Sequence, residues 1–388
     1  MGKKSQQLGA VSLFSVVFAT LLLTVLVTGF IQLMVRDQRQ ATNNDLSQSA
    51  YDAALAGVED AKRVVRSSQE GNDQASDALG APSDCMVIQR SGVVATSTDD
   101  SEVKVKSTNT NGVNFDQAYT CVNLAMDTPD YLYESREDKT QLIPLKSSNV
   151  FNQIAIEWYT REDSGSAVVT RPTSGNDLSL PKYSDWGNTS SVPGLPSTSS
   201  SPPIMQAQVI TPGDQIDLNS LNNTGRTAFI RPLAVNATAS ELSVDLKAGS
   251  PRVGEDNVAS NSSPHAVTCT TRFSFNDEYS CRAVVNIDEV SESASRNAFL
   301  RLSTIYSGAH VRVTLLNNGA KVSFNGVQPS VDSTGRTNNL FRRVEARLQL
   351  GDDFPYPEAA ADISGDICKD FSITDEKAIP NPKCNPAD

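Results

Sequence analysis

Positions 10–35 carry no formal charge and no proline. At 1.5 Å of rise per residue a helix over them is about 39 Å long, enough to cross a bilayer core with some tilt. A cleavable secretory signal has an apolar region of roughly 7–15 residues followed by a small-x-small site. This run is longer, and Arg36 follows it directly. Beyond it the pattern changes period instead of stopping. Leu46, Ala50, Ala53, Ala54, Gly57, Val58, Ala61 and Val65 recur at steps of three and four, which predicts one apolar face on a continuing amphipathic helix, 36–70. That face is mostly Ala and Gly, which permits close helix-to-helix approach. Asp52, Glu59, Lys62 and Arg63 fall on other faces, where Glu59 can pair with Arg63. The first proline is Pro82, and Gly71 is a helix stop, so one helix over 10–70 would be about 90 Å long.

After a polar bridge at 72–83 the periodicity shortens to that of strands. Segments 103–106, 118–125, 141–145 and 154–159 read as strands of a first β-rich subdomain, 84–187. Segment 188–203, with Pro193, Pro196, Pro202 and Pro203 among serines, reads as a linker or long surface loop. A second β subdomain, 204–350, has clearer signals. Segments 267–275 and 279–287 flank Asn276-Asp277-Glu278 and predict a hairpin carrying Cys269 and Cys281, with a bulge or offset between them. Segments 311–316 and 320–324 flank Asn317-Asn318-Gly319, where Asn-Gly supplies the positive φ values of a tight turn. In 343–350, Val344, Ala346, Leu348 and Leu350 alternate with Arg343, Glu345, Arg347 and Gln349, which predicts a strand covering one side of a core. The expected class is therefore α+β, a long N-terminal helix followed by a predominantly antiparallel β head in two subdomains, the second sandwich-like. The tail, 351–388, contains Pro355, Pro357, Pro380, Pro382 and Pro386 and should be irregular.

Composition narrows the compartment and the chemistry. There are 33 basic and 45 acidic side chains, a net charge of −12, which disfavours nucleic-acid binding through bulk charge. Six cysteines, at 85, 121, 269, 281, 368 and 384, all lie beyond the apolar run, and no Cys-x-x-Cys occurs. The spacing suits local staples in an oxidising compartment. Six cysteines allow 15 connectivities. Sequence adjacency suggests Cys85–Cys121, Cys269–Cys281 and Cys368–Cys384. Lys3 and Lys4 precede the run but Arg36 and Arg39 follow it, so charge alone leaves orientation open. The cysteines place the head outside and the N-terminus inside. No His-Glu-x-x-His, Gly-x4-Gly-Lys or Gly-x-Ser-x-Gly is present, and the histidines, His265 and His310, are isolated, so enzyme activity and cofactors are not expected. Among the tail acids Asp352, Asp353, Glu358, Asp362, Asp366 and Asp370, the last three are candidate Ca²⁺ ligands. They lack EF-hand spacing, and a solvated acidic face is the preferred reading.

Two segments resemble a known family. Lys3-Lys4-Ser5-Gln6-Gln7-Leu8-Gly9, positions 1–9 being the leader, before Ala10-Val11-Ser12-Leu13 resembles a prepilin leader. Ala50-Tyr51-Asp52-Ala53-Ala54-Leu55-Ala56-Gly57-Val58-Glu59-Asp60-Ala61 is similar to the Ala-aromatic-x-Ala-x-x-Ala-Gly-x-x-x-Ala signature of PilX-type minor pilins. The resemblance covers the first 70 residues. It implies that a prepilin peptidase cuts between Gly9 and Ala10, that Ala10 is then N-methylated, and that other pilin subunits contact the helix in a type IV pilus-like filament. Major pilins carry glutamate at the fifth mature residue; here it is Phe14. A lone carboxylate in hydrocarbon is costly unless paired, and its loss removes a register device. This implies an accessory or tip subunit, whose head serves assembly or adhesion to a surface ligand. A permanently anchored surface adhesin and the pseudopilin of a secretion system remain as alternatives.

Overall fold

The computed structural model describes residues 8–80, 85–94, 102–105, 116–136, 139–164, 168–169, 199–200, 202–211, 225–236, 241–247, 265–270, 273, 278–295 and 297–349. The fold is α+β, a long N-terminal helix followed by several mostly antiparallel sheets. Helix α1 runs unbroken over Leu8–Gln69, 62 residues and about 93 Å. It ends at the expected glycine. Gly71 takes φ +90°, Asn72 N donates to Ser67 O at 3.0 Å, and Gly71 N donates to Ser68 O at 3.1 Å. These bonds satisfy two carbonyls that the last turn leaves open. The expected polar bridge is instead a second helix, α2, Asp73–Gly80. Asn72 caps it, accepting from Ala75 N at 3.2 Å, and Ala75 and Ala78 one turn apart are buried. Small apolar spacing within a polar segment is easily overlooked.

The chain divides into two compact units, 1–124 with 331–346 and 125–330 with 347–388. The first holds α1, α2, the short α3 (Val87–Arg90) and most of a sheet in the order β1 (Val103–Lys104), β2 (Gln117–Thr128), β16 (Phe324–Thr337), β17 (Leu340–Arg347), of which 125–128, 324–330 and Arg347 fall in the second. Cys85 and Cys121 are disulfide-bonded, with Cα atoms 4.4 Å apart, and fasten the turn before α3 to β2. Of the alternating segment expected at 343–350, residues 343–346 belong here, in the edge strand β17. That strand begins earlier, ends at Arg347 and leaves Val344 and Ala346 half-buried rather than covering a core. Leu348, which falls in the second unit, is buried, and Leu350 lies outside the described residues.

The second unit is a sandwich. One sheet has the order β10 (Leu242–Asp245), β12 (Tyr279–Val290), β5 (Phe151–Thr160), β14 (Ala309–Asn317), β15 (Ala320–Val322), with β3 (Tyr131–Ser135) also on β14. The other has the order β11 (His265–Thr270), β9 (Arg226–Asn236), β8 (Ile204–Ile210), β13 (Phe299–Ile305), β4 (Thr140–Pro144). Ile154, Ile156, Trp158, Val285, Val311 and Val313 from the first meet Ile143, Met205, Val209, Ile230, Leu300 and Leu302 from the second in one buried core. The pairs β10/β12 and β9/β11 are parallel. Two further residues pairs, β6 (Val168–Val169) and β7 (Ser199–Ser200), form a short parallel ribbon.

Two differences from the sequence expectation concern this sandwich. Strands β4 and β5, which precede the Ser/Pro segment 188–203, pair with β13, β12 and β14, which follow it. The units therefore do not separate at that segment. Its last residue, Pro203, instead accepts a buried 3.1 Å hydrogen bond from Trp158 Nε1. Second, 267–275 and 279–287 do not form a hairpin, because β11 and β12 belong to opposite sheets. Cys269 and Cys281 are both fully buried and disulfide-bonded across the sandwich. Inward-facing positions on two stacked strands, rather than a bulge in one hairpin, account for the offset expected between the two cysteines. The Asn318-Gly319 turn forms as read, with φ values of +49° and +85° and Asn317 paired to Ala320.

Cys368 and Cys384, with the rest of the tail, lie outside the described residues. Replacing both Cys269 and Cys281 with alanine should lower the stability of the sandwich by about 2–3 kcal/mol, from the entropy released by a short closed loop, read as a lower urea midpoint in unreduced samples.

Candidate functional site: the long helix

Exposure changes sharply along α1. Every side chain from 14 to 45 is exposed, including Phe14, Phe18, Phe30, Ile31 and Met34. By length and composition this helix can cross a membrane, with a mean hydropathy of 2.4 in its most apolar 18-residue window. Its threonines suit hydrocarbon. Thr20, Thr24 and Thr28 donate to the carbonyls of Val17, Leu21 and Thr24 at 2.9, 2.8 and 2.7 Å, so their hydroxyls need no water. Gly9 and Ala10 lie in the first turn of the helix, and residues 1–7 are outside the described set.

Beyond Asp45 the other half is docked. Ala50, Ala53, Ala54, Gly57, Val58, Ala61 and Val65 are buried and Leu46 is half-buried, so the predicted face exists. Its partner is the chain's own sheet rather than another helix. A Cβ on Gly57 would lie 2.9 Å from Val122 Cγ2 and 3.2 Å from Tyr119 Cγ on β2, and closer still to Ser333 Oγ on β16. A Cβ on Gly335 would lie 2.9 Å from the carbonyl carbon of Ala53 and would overlap the backbone of Ala50 and Ala54. Helix and strand backbones therefore touch, which only glycine facing alanine allows.

Polar contacts set the height and rotation of the helix on the sheet. Thr337 Oγ1 bonds Ser49 Oγ at 3.2 Å, Gln117 Nε2 also donates to that oxygen, and Arg342 Nε donates to Ser47 Oγ at 2.8 Å. Further along, Tyr119 donates its hydroxyl to Asp60 Oδ2 at 2.7 Å. Burial, reinforced by this bond and the carboxylate's charge, raises the Tyr119 pKa well above the ordinary phenol range. Arg63 pairs with Asp60 at 2.9 Å, so the expected Glu59 partner is replaced by the acid that Tyr119 holds in place. Ser333, Gly335, Tyr119 and the serines were not singled out in the sequence. An isolated glycine in a strand pattern was the available signal for Gly335.

The histidines are far from this helix in sequence and belong to the second unit. His265 opens β11, and burial lowers its pKa. His310, on β14, bonds Asp163 of α4 (Arg161–Ser164): Nδ1 lies 2.7 Å from Oδ1. Asp163 Oδ2 accepts from His310 N at 3.0 Å, Thr160 N at 2.7 Å and Thr160 Oγ1 at 3.1 Å. Glu162 Oε2 stands 3.9 Å from Nε2. The arrangement fastens α4 to the sheet. Asp362, Asp366 and Asp370 lie outside the described residues, and among the described residues no group of three or more potential ligands is placed to hold a metal ion.

No family model, curated protein or solved structure matches this chain.

Two outcomes follow from the geometry. Gly335→Val should destabilise the first unit by about 1–3 kcal/mol through overpacking, although valine favours strands, whereas Thr334→Val should not; denaturant midpoints of the detergent-solubilised chain would separate them. For His310, partial burial opposes the charged form, but the bond to Asp163 and the charges of Asp163, Glu162 and Glu134 outweigh it and raise the pKa. Its stabilising contribution should be complete below the unfolded value of about 6.5 and fade as pH rises through the raised folded value. Comparing wild type with His310→Asn across that range checks the sign.

Proposed function

We propose that the chain is a minor subunit of a type IV pilus or pilus-like filament, placed at an accessory or tip position and not enzymatic. One observation carries the reading: α1 is a single uninterrupted helix, bare and apolar over its first half and docked on its own sheet over its second. A bare apolar helix needs either lipid or other apolar helices around it, and a filament subunit uses each in turn. In the membrane-held state the run 10–35 spans the bilayer, with the N-terminus cytoplasmic and the disulfide-bonded head outside. In the assembled state the same surface is covered by neighbouring subunits. Processing between Gly9 and Ala10 by a prepilin peptidase precedes that transfer. Phe14, which is 75 % exposed, offers a neighbour apolar surface and no counter-charge for its amine, in keeping with an accessory position.

A second reading, a permanently anchored surface adhesin, draws support from the burial of the Ala/Gly face, which leaves that face unavailable to a partner helix. It has the same topology and no dependence on the peptidase. Mass spectrometry of the native N-terminus separates the two. Filament use predicts methylated Ala10 as the first residue in cells with the peptidase, and accumulation of the uncut chain without it. A chain still beginning before Gly9 in peptidase-positive cells would sink the filament reading.

A further inference from the structure

Helix α4 is a single turn, Arg161–Ser164, and carries no apolar side chain. An isolated helix needs about 12–15 residues to be even marginal in water, and no apolar face anchors this one. Its bonds converge on one carboxylate. Thr160 N donates to Asp163 Oδ2 at 2.7 Å and Asp163 N donates to Thr160 Oγ1 at 3.4 Å, a reciprocal cap over the turn. The same Oδ2 accepts from His310 N at 3.0 Å, and Oδ1 lies 2.7 Å from His310 Nδ1, so Asp163 ties the end of β5 to the start of β14. Backbone strain brackets the contact. Tyr159, just before the cap, is buried and takes φ +71°, and Tyr306, in the crossing from β13 to β14, takes φ +85°. Bulky residues at positive φ persist only where their surroundings hold them, and such outliers gather at clamps and switches.

We propose that this corner of the head is a pH-operated latch: Asp163, bonded to protonated His310, holds the turn Arg161–Ser164 and the strained Tyr159 in place, and loss of the imidazole proton lets the turn open while the sandwich stays folded. The charged groups on the elements around the ring are Glu134 on β3 and Arg136 just past it, Arg161, Glu162 and Asp163 on α4, Glu157 on β5 and Arg312 on β14. Arg312 is taken up by Glu157 and Glu278, at 2.7 and 3.4 Å. Partial burial opposes a charged ring, but the Asp163 bond and the charges of Asp163, Glu162 and Glu134 outweigh it. Asp163 is 10 % exposed and His310 35 %, with Nε2 standing 3.9 Å from Glu162 Oε2, so the ring reaches water while the carboxylate does not leave the fold. The proton departs from Nε2 to solvent. The neutral ring still donates from Nδ1 but no longer balances three carboxylates, and Tyr159 then favours release. The latch is full below the open-state value of about 6.5 and weakens as pH rises through the raised folded value. It works alike on a filament subunit and on an anchored adhesin.

Hydrogen exchange of the detergent-solubilised full chain, read by mass spectrometry across the range from acid to alkaline and corrected for the intrinsic pH dependence of exchange, tests this. Peptides covering 159–164 and 308–310 should be less protected than the core peptide 153–157 at every pH, the mark of local opening, and should lose protection several-fold as pH rises. Replacing Glu134→Gln and Glu162→Gln together leaves the Asp163 bonds intact and should move that loss to lower pH. His310→Asn should abolish the pH response and hold both peptides at the alkaline level. A wild-type profile flat with pH, or a response that survives His310→Asn or keeps its midpoint without the two glutamates, overturns the latch. So does a 159–164 peptide that exchanges only as fast as the core, because the corner would then open only with the whole sandwich.

Discussion

The first unit depends on a backbone-to-backbone contact. Where Gly335 of β16 meets Ala50, Ala53 and Ala54 of α1, no side chain separates strand from helix. Helices usually sit about 10 Å from a partner because side chains fill the gap; here they are omitted. The approach lets a sheet of four strands use one helix face as its buried layer, with Val122, Tyr119 and Val65 closing the edges. It also explains why α1 tolerates a glycine mid-helix, although Gly57 costs about 1 kcal/mol in helix propensity relative to alanine. A methyl group there would meet Ser333, Val122 and Tyr119.

The sandwich is held differently. Its layers are joined by large side chains such as Trp158, Phe151 and Ile156, by the buried Ser135–Thr304 hydroxyl pair at 2.7 Å, and by the Cys269–Cys281 bridge. On its outer face Glu157 lies between Arg282 and Arg312, at 3.0 and 2.7 Å. Burial alone would raise the Glu157 pKa, but the two guanidinium groups hold it below the usual carboxylate range. Arg312 also lies over the Tyr279 ring at 4.6 Å, and burial takes that phenol up to about 12. A charged residue mid-strand thus has its partners supplied by neighbouring strands.

Legibility followed the range of the interactions. The helix, its stop at Gly71 and the Asn318-Gly319 turn depend on neighbours within a few residues, and all were readable. The apolar face of α1 was readable as a face. What covers it was not, because Gly335 and Ala53 are almost three hundred residues apart and period alone cannot say whether alanines await a helix or a strand. The same limit produced the mistaken hairpin. Two strands joined by a short polar segment suggest one sheet, but a corner between stacked sheets has the same pattern, and only the inward placement of both sulfurs distinguishes them. Strand order across the Ser/Pro segment was equally hidden, since β5 finds its partners more than one hundred residues downstream.

The contacts of Ser47, Ser49 and Asp60 with the sheet carry a consequence for the bare half of the helix. Because α1 has no break between its halves, they fix the compass bearing of every exposed side chain from Phe14 to Asp45 relative to the head. An α-helix advances about 100° and 1.5 Å per residue. One residue inserted between Val35 and Ser47 would leave both halves intact yet swing the head by more than a quarter turn about the axis. The connecting segment therefore acts as a phase setting, and its length in residues specifies which way the head faces.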